Sequence, residues 1–462
     1  MERIDFYENA RRILANPVIV NAVQKATSHA LAKRLDTISR IPDFESLRDK
    51  ARAAKEEIIS NFEDFLEKFK KNATRNGFIV HEAKDAKEAK DIVYEIFSNH
   101  NVKTVVSSKS MTQEEIEINP FLESKGIVKY ETDLGEFIIQ TAKQKPSHIT
   151  APAIHMTRKE IAQLFHDKLG MEYTEDPEEI TYFARQFLRE KYFKADAGMS
   201  GANFLIADTG SFVVVENEGN ARMSTTLPKL HVAVTGIEKL IPSIKDFPNF
   251  IKILAPSSTG QHQTVYTNIF STVGRGREVH IVLIDNGRRK MLADPVLREA
   301  LMCIRCGGCS NVCPIFQLLG GHAYGSVYSG PIGIIWTYAI FGHSVARDLP
   351  FASTLCGACH EICPVRINIP KILLHLRHRV VEKEGGPFAE RLLVELWEKV
   401  MTHPTVNKFG FRIASKAQVF FERDRKIRCL PWILSRWTEW KDIDPIPGKS
   451  FRELWKERQK NS

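Results

Sequence analysis

The sequence contains no apolar run long enough to cross a bilayer. The longest near its cysteines, Ile332 to Phe341, is about half of the roughly 20 residues a membrane span requires. The opening Met1-Glu-Arg-Ile-Asp-Phe carries acidic residues and no apolar core, so no secretory leader is expected and the cytoplasm is the expected compartment. Gly198, Gly201 and Gly210 make no G-x-G-x-x-G fingerprint, and Gly448-Lys449-Ser450 lacks the upstream glycine of a phosphate-binding loop. Neither feature signals a nucleotide or a flavin. Asp208-Thr209-Gly210 resembles half of an aspartic-protease dyad, but no second such triplet exists to share the proton. It reads as a turn after a buried strand. A convincing internal repeat and a low-complexity linker are also missing. Basic residues outnumber acidic ones, 65 to 56, for a formal charge of +9. They are scattered, with one local excess at 423–428, and no nucleic-acid-binding module accompanies them. An acidic partner subunit or peripheral contact with an anionic membrane explains the excess, and much of it is simply solvated surface.

Cysteine is scarce as well, 8 in 462 residues, and all but one lie between positions 303 and 363. The first group reads Cys303-Ile-Arg-Cys306-Gly-Gly-Cys309-Ser-Asn-Val-Cys313-Pro314. The second reads Leu355-Cys356-Gly-Ala-Cys359-His-Glu-Ile-Cys363-Pro364. The first is the C-x2-C-x2-C-x3-C-P run that holds iron–sulfur clusters, its last cysteine serving the other cluster of a pair. A tight loop of three thiolates reaches three corners of a cubane, and the remaining corner must be filled from elsewhere. The proline removes an N–H and fixes φ, ending the loop. Aligned backwards from Cys363, the second group asks for a cysteine at 353 and finds Ser353. Crosswise pairing assigns Cys303, Cys306, Cys309 and Cys363 to a [4Fe–4S] cluster. Cys313, Cys356 and Cys359 remain for a second one. That one is either a three-iron cluster or a four-iron cluster completed by Ser353, water or another non-cysteine ligand. Structural zinc prefers two separated C-x2-C pairs, and disulfides need an oxidising compartment, so neither accounts for this pattern. Cys429 stands alone as a free structural thiol, with a remote claim on the open ligand position.

Residues 1–75 are helical in pattern, with Ala22 to Arg34 and Leu47 to Lys71 carrying apolar residues at three- and four-residue spacing. This predicts an amphipathic arm. Over 76–289 short strands alternate with helices: strands at 78–81, 102–106 and 127–130, helices at 86–97 and 113–124. That alternation predicts an α/β domain with a mostly parallel sheet. A helical insertion at 158–192 follows, then strands at 203–207, 211–215, 229–234 and 278–284. Asp208-Thr-Gly210 and Asn217-Glu-Gly-Asn220 are expected to join the first two of these as a hairpin. His148, His155, His231, His262 and His280 are dispersed through this domain, and satisfied structural histidines are expected. Residues 290–385 form the expected cluster domain, with a glycine-rich linker between the cysteine groups and a helix from Ile369 to Val381. A helical tail at 386–462 carries Trp397, Trp432, Trp437, Trp440 and Trp455. Exposed tryptophans there would favour docking on a partner.

Taken together, the chain resembles the bacterial lactate-utilization iron–sulfur protein B (LutB) family. The likeness rests on Glu131-Thr-Asp-Leu-Gly-Glu136, Pro146-Ser-His148, Ala151-Pro-Ala-Ile-His155 and Gly201 to Gly210. Asp285-Asn-Gly-Arg288, both cysteine groups without a cysteine at 353, and Ser450-Phe-Arg-Glu-Leu-Trp455 complete it. The resemblance implies a lactate-utilization (LUD) domain related to sugar-phosphate isomerase and CoA-transferase folds, then an α-helical dicluster ferredoxin domain. It also implies the same cluster ligands and a role in oxidising L-lactate to pyruvate. The implied partners are two sister proteins, a glycolate-oxidase-like cysteine-rich subunit and a lone LUD-domain protein. No catalytic residue is carried over. The chain thus reads as a non-autonomous electron-transferring subunit. A catalytic α/β domain that binds a small acid at its strand ends, and a redox sensor built on the incomplete cluster, are the competing expectations.

Overall fold

The computed structural model describes residues 3–384, 388–431, 435–439 and 441–461. Two compact units divide the chain, Met1–His378 and Arg379–Ser462. Among the described residues no helix is long and apolar enough to cross a membrane. Trp432, Trp440 and the side chain of Trp437 lie outside what is described.

The first unit is built on ten strands: β1 (Ile79–Ala83), β2 (Thr104–Ser107), β3 (Val128–Glu131), β4 (Ala197–Ser200), β5 (Phe204–Ile206), β6 (Ser211–Glu216), β7 (Leu230–Gly236), β8 (Leu240–Ile241), β9 (Tyr266–Phe270) and β10 (Glu278–Ile284). Six of them form one sheet in the order β1-β10-β7-β4-β2-β3, and every pairing in it is parallel. The expected α/β class is therefore correct. A parallel sheet is covered on both faces, so its central strands read as near-continuous apolar runs. In β10, Val282 and Ile284 join one core with Val93, Phe97 and Leu122 from the helices Ala86–Asn99 and Ile118–Ser124. Val279, Ile281 and Leu283 of the same strand face the opposite core. There they meet Leu66 and Phe69 of the helix Phe62–Arg75, with Leu205 and Phe212. The alternation of faces is the period-two geometry of a strand.

Several local expectations give way to packing. The helix expected over 47–71 is two helices, Phe44–Ser60 and Phe62–Arg75, divided at Asn61 with φ −132°. The helix expected over 113–124 is also two, because Glu117 is left-handed (φ 52°). A single strand was expected around residue 205, but two appear. β4, with the unpromising sequence Ala-Gly-Met-Ser, is central to the large sheet, whereas β5 and β6 belong to a second sheet ordered β8-β5-β6-β9. Gly198 explains the position of β4, since a Cβ there would lie 1.9 Å from the carbonyl oxygen of Ser224. The hairpin of β5 and β6 is present and turns at Asp208-Thr209-Gly210, whose Gly210 has φ +67°. Asp208 accepts the Ile244 N–H there, a structural duty. The 217–220 segment instead follows β6 into the helix Asn220–Thr226.

His231 behaves as a structural group. His231 is buried against Ser200, 2.9 Å from its hydroxyl. Burial, then Arg277 and His280, push the His231 imidazole down to about 3. An unfolded imidazole titrates near 6.5, so the unfolded chain takes up a proton that the fold refuses. This contribution to stability is complete above about pH 6.5 and is lost as pH falls below it. The denaturation midpoint is expected to drop between pH 7 and pH 5, and His231→Gln is expected to shrink that drop. Identical drops in both proteins would exclude His231 as a source.

The second unit contains the helices Phe388–Thr402 and Pro404–Ala417, a short antiparallel pair at 422–427, and the helix Phe451–Asn461. Its Trp397 and Trp455 are exposed, and Trp455 stacks on Phe451.

Candidate functional site

The two cysteine runs adopt the same backbone turn. Arg305 (φ 61°) and Gly307 (φ 74°) flank Cys306, while Leu355 (φ 54°) and Gly357 (φ 88°) flank Cys356. Left-handed backbone on either side of the middle cysteine folds each run back on itself. A non-glycine residue there carries strain of about 1–3 kcal/mol, tolerated where surroundings over-determine it. Each turn opens a short helix, Gly308–Val312 and Ala358–Glu361. The two runs share the frame Cys-Gly-x-Cys-x3-Cys-Pro in sequence, with Gly307 and Gly357 in matching places.

This folding gathers Cys303, Cys306, Cys309 and Cys363 around one cavity, walled also by Ile332 and Ile367. All four are buried. The backbone N–H of Arg305 points at Cys303 Sγ and that of Ile367 at Cys363 Sγ, each at 3.4 Å. Burial, then the neighbouring Cys363, push the Cys306 thiol up to about 12. Burial, helped by the Cys303 charge, pushes Cys363 up to about 11. Thiolates in such a place need a positive centre to hold them. Among the described residues no three His, Cys, Asp or Glu converge as ligands of a single metal ion. Four buried sulfurs lining one cavity suit a polynuclear cluster, so the residues fit the cofactor.

Cys313 and Cys359 are buried, and Cys356 is exposed. Burial, then the charges of Cys313 and Cys356, push Cys359 up to about 12. The Ala358 N–H, the Thr354 hydroxyl and its own backbone N–H hold Cys356 below the usual thiol range. Ser353 lies in the same loop, where its Oγ accepts the Leu355 N–H at 3.2 Å. Cys429 belongs to the second unit and is exposed.

Five cations surround the first cavity, four of them outside any sequence motif and one, Arg305, within the first cysteine run. Arg34, on the helix Pro17–Ser39, donates to the Ile362 carbonyl at 3.0 Å. Arg48, on the helix Phe44–Ser60, donates to the carbonyls of Glu361 and Cys363 at 2.7 and 2.8 Å. Lys55 and Lys239 are buried beside Cys303, and burial pushes them down to about 7 and about 8. Arg305 lies 3.6 Å from the centre of the Trp336 ring and 3.3 Å from Glu238. Glu238 and Glu115 also clasp Arg288, and all three side chains are fully buried. The Tyr328 hydroxyl donates to Glu115 at 2.5 Å. Because Arg288 and Arg305 sit beside it, the Glu238 carboxyl is held down at about 2 despite its burial.

The Pro146–His155 stretch buttresses the cysteine loop. His148 Nε2 lies 3.1 Å from Asn311 Oδ1. Its Nδ1 accepts from Thr150 and Ala151. His155 packs edge-on against His322 at 4.3 Å.

A second cavity, of about 280 Å³, opens at the carboxyl ends of β2 and β4. Ser108 and Lys109 follow β2, Gly201 follows β4, and Lys239 and Arg305 close the side toward Cys303.

Comparison with known proteins identifies the parts. Residues 66–290 match the LUD domain, 299–367 the 4Fe-4S dicluster domain, and 375–460 the C-terminal domain of lactate utilisation protein B. Lactate utilization protein B of Bacillus licheniformis is 39% identical, over 98% of this chain and 97% of its own. The Bacillus subtilis protein of the same name is 37% identical, over 98% and 96%. Escherichia coli K12 has an "uncharacterized electron transport protein YkgF" that is 37% identical, over 98% and 97%. At that identity along its whole length, and with all three domains in order, the chain belongs to the lactate utilization protein B family.

Proposed function

We propose that this chain is the electron-carrying iron–sulfur subunit of a cytoplasmic assembly that oxidises L-lactate to pyruvate. Cys303, Cys306, Cys309 and Cys363 hold one cluster, and Cys313, Cys356 and Cys359 the other. When bound, such clusters accept and release single electrons at potentials tuned by ligands, hydrogen bonds and burial. The observation that carries the reading is the meeting of cysteines from both runs around one cavity. Arg34, Arg48 and Arg305 offset the negative charge that four thiolates and a cluster concentrate in a buried place. The exposed Cys356 brings the second site to the surface, where a redox partner can approach. The partners are the cysteine-rich and lone LUD-domain sister proteins, and the relative named as an electron transport protein supports the carrier role.

The test is lactate-dependent bleaching of the anaerobically prepared protein, followed with and without the sister proteins. Bleaching only in their presence is expected. Zinc in place of iron, or no bleaching with all partners present, would sink the reading. A companion variant probes the open ligand position. Ser353→Cys is expected to change the EPR signal of the second centre and leave the first unchanged. An identical spectrum would remove position 353 from consideration.

A further inference from the structure

We infer that the cavity at the carboxyl ends of β2 and β4 binds a small 2-hydroxy or 2-oxo carboxylate, held by Lys109, Ser108 and Arg305. This rests on the lactate reading above and assigns its substrate class to a place in the fold.

The position follows from topology. From β2 the chain moves outward to β3, but from β4 it moves the other way to β7. Between them lies the point where connections diverge, and ligands of open α/β sheets bind in the crevice outside the strand ends at such a point. The loops there are built to come close, because a Cβ on Gly201 would lie 2.6 Å from Ser110 Oγ.

The charge pattern selects an anion. Lys109 Nζ, Ser108 Oγ and Arg305 Nη1 are buried without a hydrogen-bond partner, and the Arg305 side chain is only 6% exposed. Lys109 has Glu136 at 3.5 Å, in ion-pair range but beyond a good hydrogen bond. The carboxylates lining the cavity are differently placed. Glu216 accepts the N–H groups of Ala221 and Arg222 at 2.6 and 2.9 Å and an Asn268 N–H at 2.8 Å. Asp133 accepts the Glu136 N–H at 3.1 Å as a helix cap. Glu218 accepts the Leu134 N–H at 3.4 Å, and burial, then Asp133, push its carboxyl up to about 7. The acids accept backbone or side-chain N–H groups, whereas Lys109 Nζ, Ser108 Oγ and Arg305 Nη1 have no hydrogen-bond partner, although Arg305 also pairs with Glu238 through its other nitrogen. Buried donors of this kind cost free energy until an acceptor satisfies them. The volume of about 280 Å³ lies at the small end of ligand pockets, suited to a short acid with companion waters.

The experiment is calorimetric titration of the anaerobically prepared, iron-loaded full chain with L-lactate, pyruvate, acetate and inorganic phosphate. Saturable binding of lactate or pyruvate is expected, at least tenfold tighter than acetate. Lys109→Gln and Ser108→Ala are each expected to weaken it about tenfold or more, roughly the 1.4 kcal/mol of one charge-assisted hydrogen bond. Lys109→Arg is expected to recover most of the loss. No saturable binding, binding of phosphate in place of the acids, or unchanged affinity in both loss variants would overturn the assignment. The titration uses this chain alone, so its failure is separable from failure of the carrier reading, which is read by bleaching with partners.

Discussion

A Cys363→Ser variant is expected to lose about half or more of the bound iron, where Cys429→Ser loses none. Cys363 is the one cysteine of the second run that lines the first cavity. Its nearest companion in sequence, Cys309, is 54 positions away (363 − 309). Metal binding at ligands so far apart closes a long loop, and the binding energy is then folding energy. The carbonyls of Ile362 and Cys363 also receive Arg34 and Arg48. Without the sulfur, those guanidinia surround a cavity that has lost the charge they offset. Serine keeps the shape and removes the soft ligand, so the loss is chemical. Iron and sulfide analysis, with EPR of the reduced protein, reads the result. Retention of full iron with an unshifted first signal would refute the wiring of that cavity.

Replacing Arg288 by methionine is expected to destabilise the chain by about 3–5 kcal/mol or more, among the largest effects a single substitution produces. Arg288 donates to Glu115 at 2.9 and 2.8 Å and to Glu238 on its other side, with all three side chains fully buried. Its guanidinium also faces the Trp336 ring at 5.2 Å. Methionine fills much of the volume but leaves two buried carboxylates without their shared cation. Replacing a whole ionic cluster by apolar groups can be neutral, whereas removing one partner strands the others. The combined change Glu115→Gln, Glu238→Gln and Arg288→Met is therefore expected to recover much of the loss. Urea denaturation of the iron-loaded chain gives the comparison. A single variant within about 1 kcal/mol of the parent would show that the carboxylates find other partners.

The cysteine pattern was readable because cluster chemistry places its ligands at fixed local spacings, and the parallel sheet because short strands alternate with helices along the chain. The surrounding charges were not. Arg34 and Arg48 look like ordinary helix cations, and only the folding of the chain sets them against carbonyls more than 300 positions away. Arg305 sat inside the motif and passed as filler between ligands. Its left-handed backbone and its seat on Trp336 exist only in three dimensions. Lys109 had a weak signal, a polar cluster just after a buried strand. β4 had almost none, since a strand of Ala-Gly-Met-Ser is chosen by close packing at Gly198 and not by propensity. The Pro146–His155 stretch could be picked out, but its reason, support of Asn311 and His322, lay in a separate part of the chain.

The helices Pro17–Ser39 and Phe44–Ser60 reach over the Cys363 loop through Arg34 and Arg48. That places a lid made early in synthesis over a chamber completed late. An iron donor must therefore arrive before the two helices settle, or else part them. Under the proposed wiring, the shielded site is expected to be charged before the outer one near Cys356, which stays exposed.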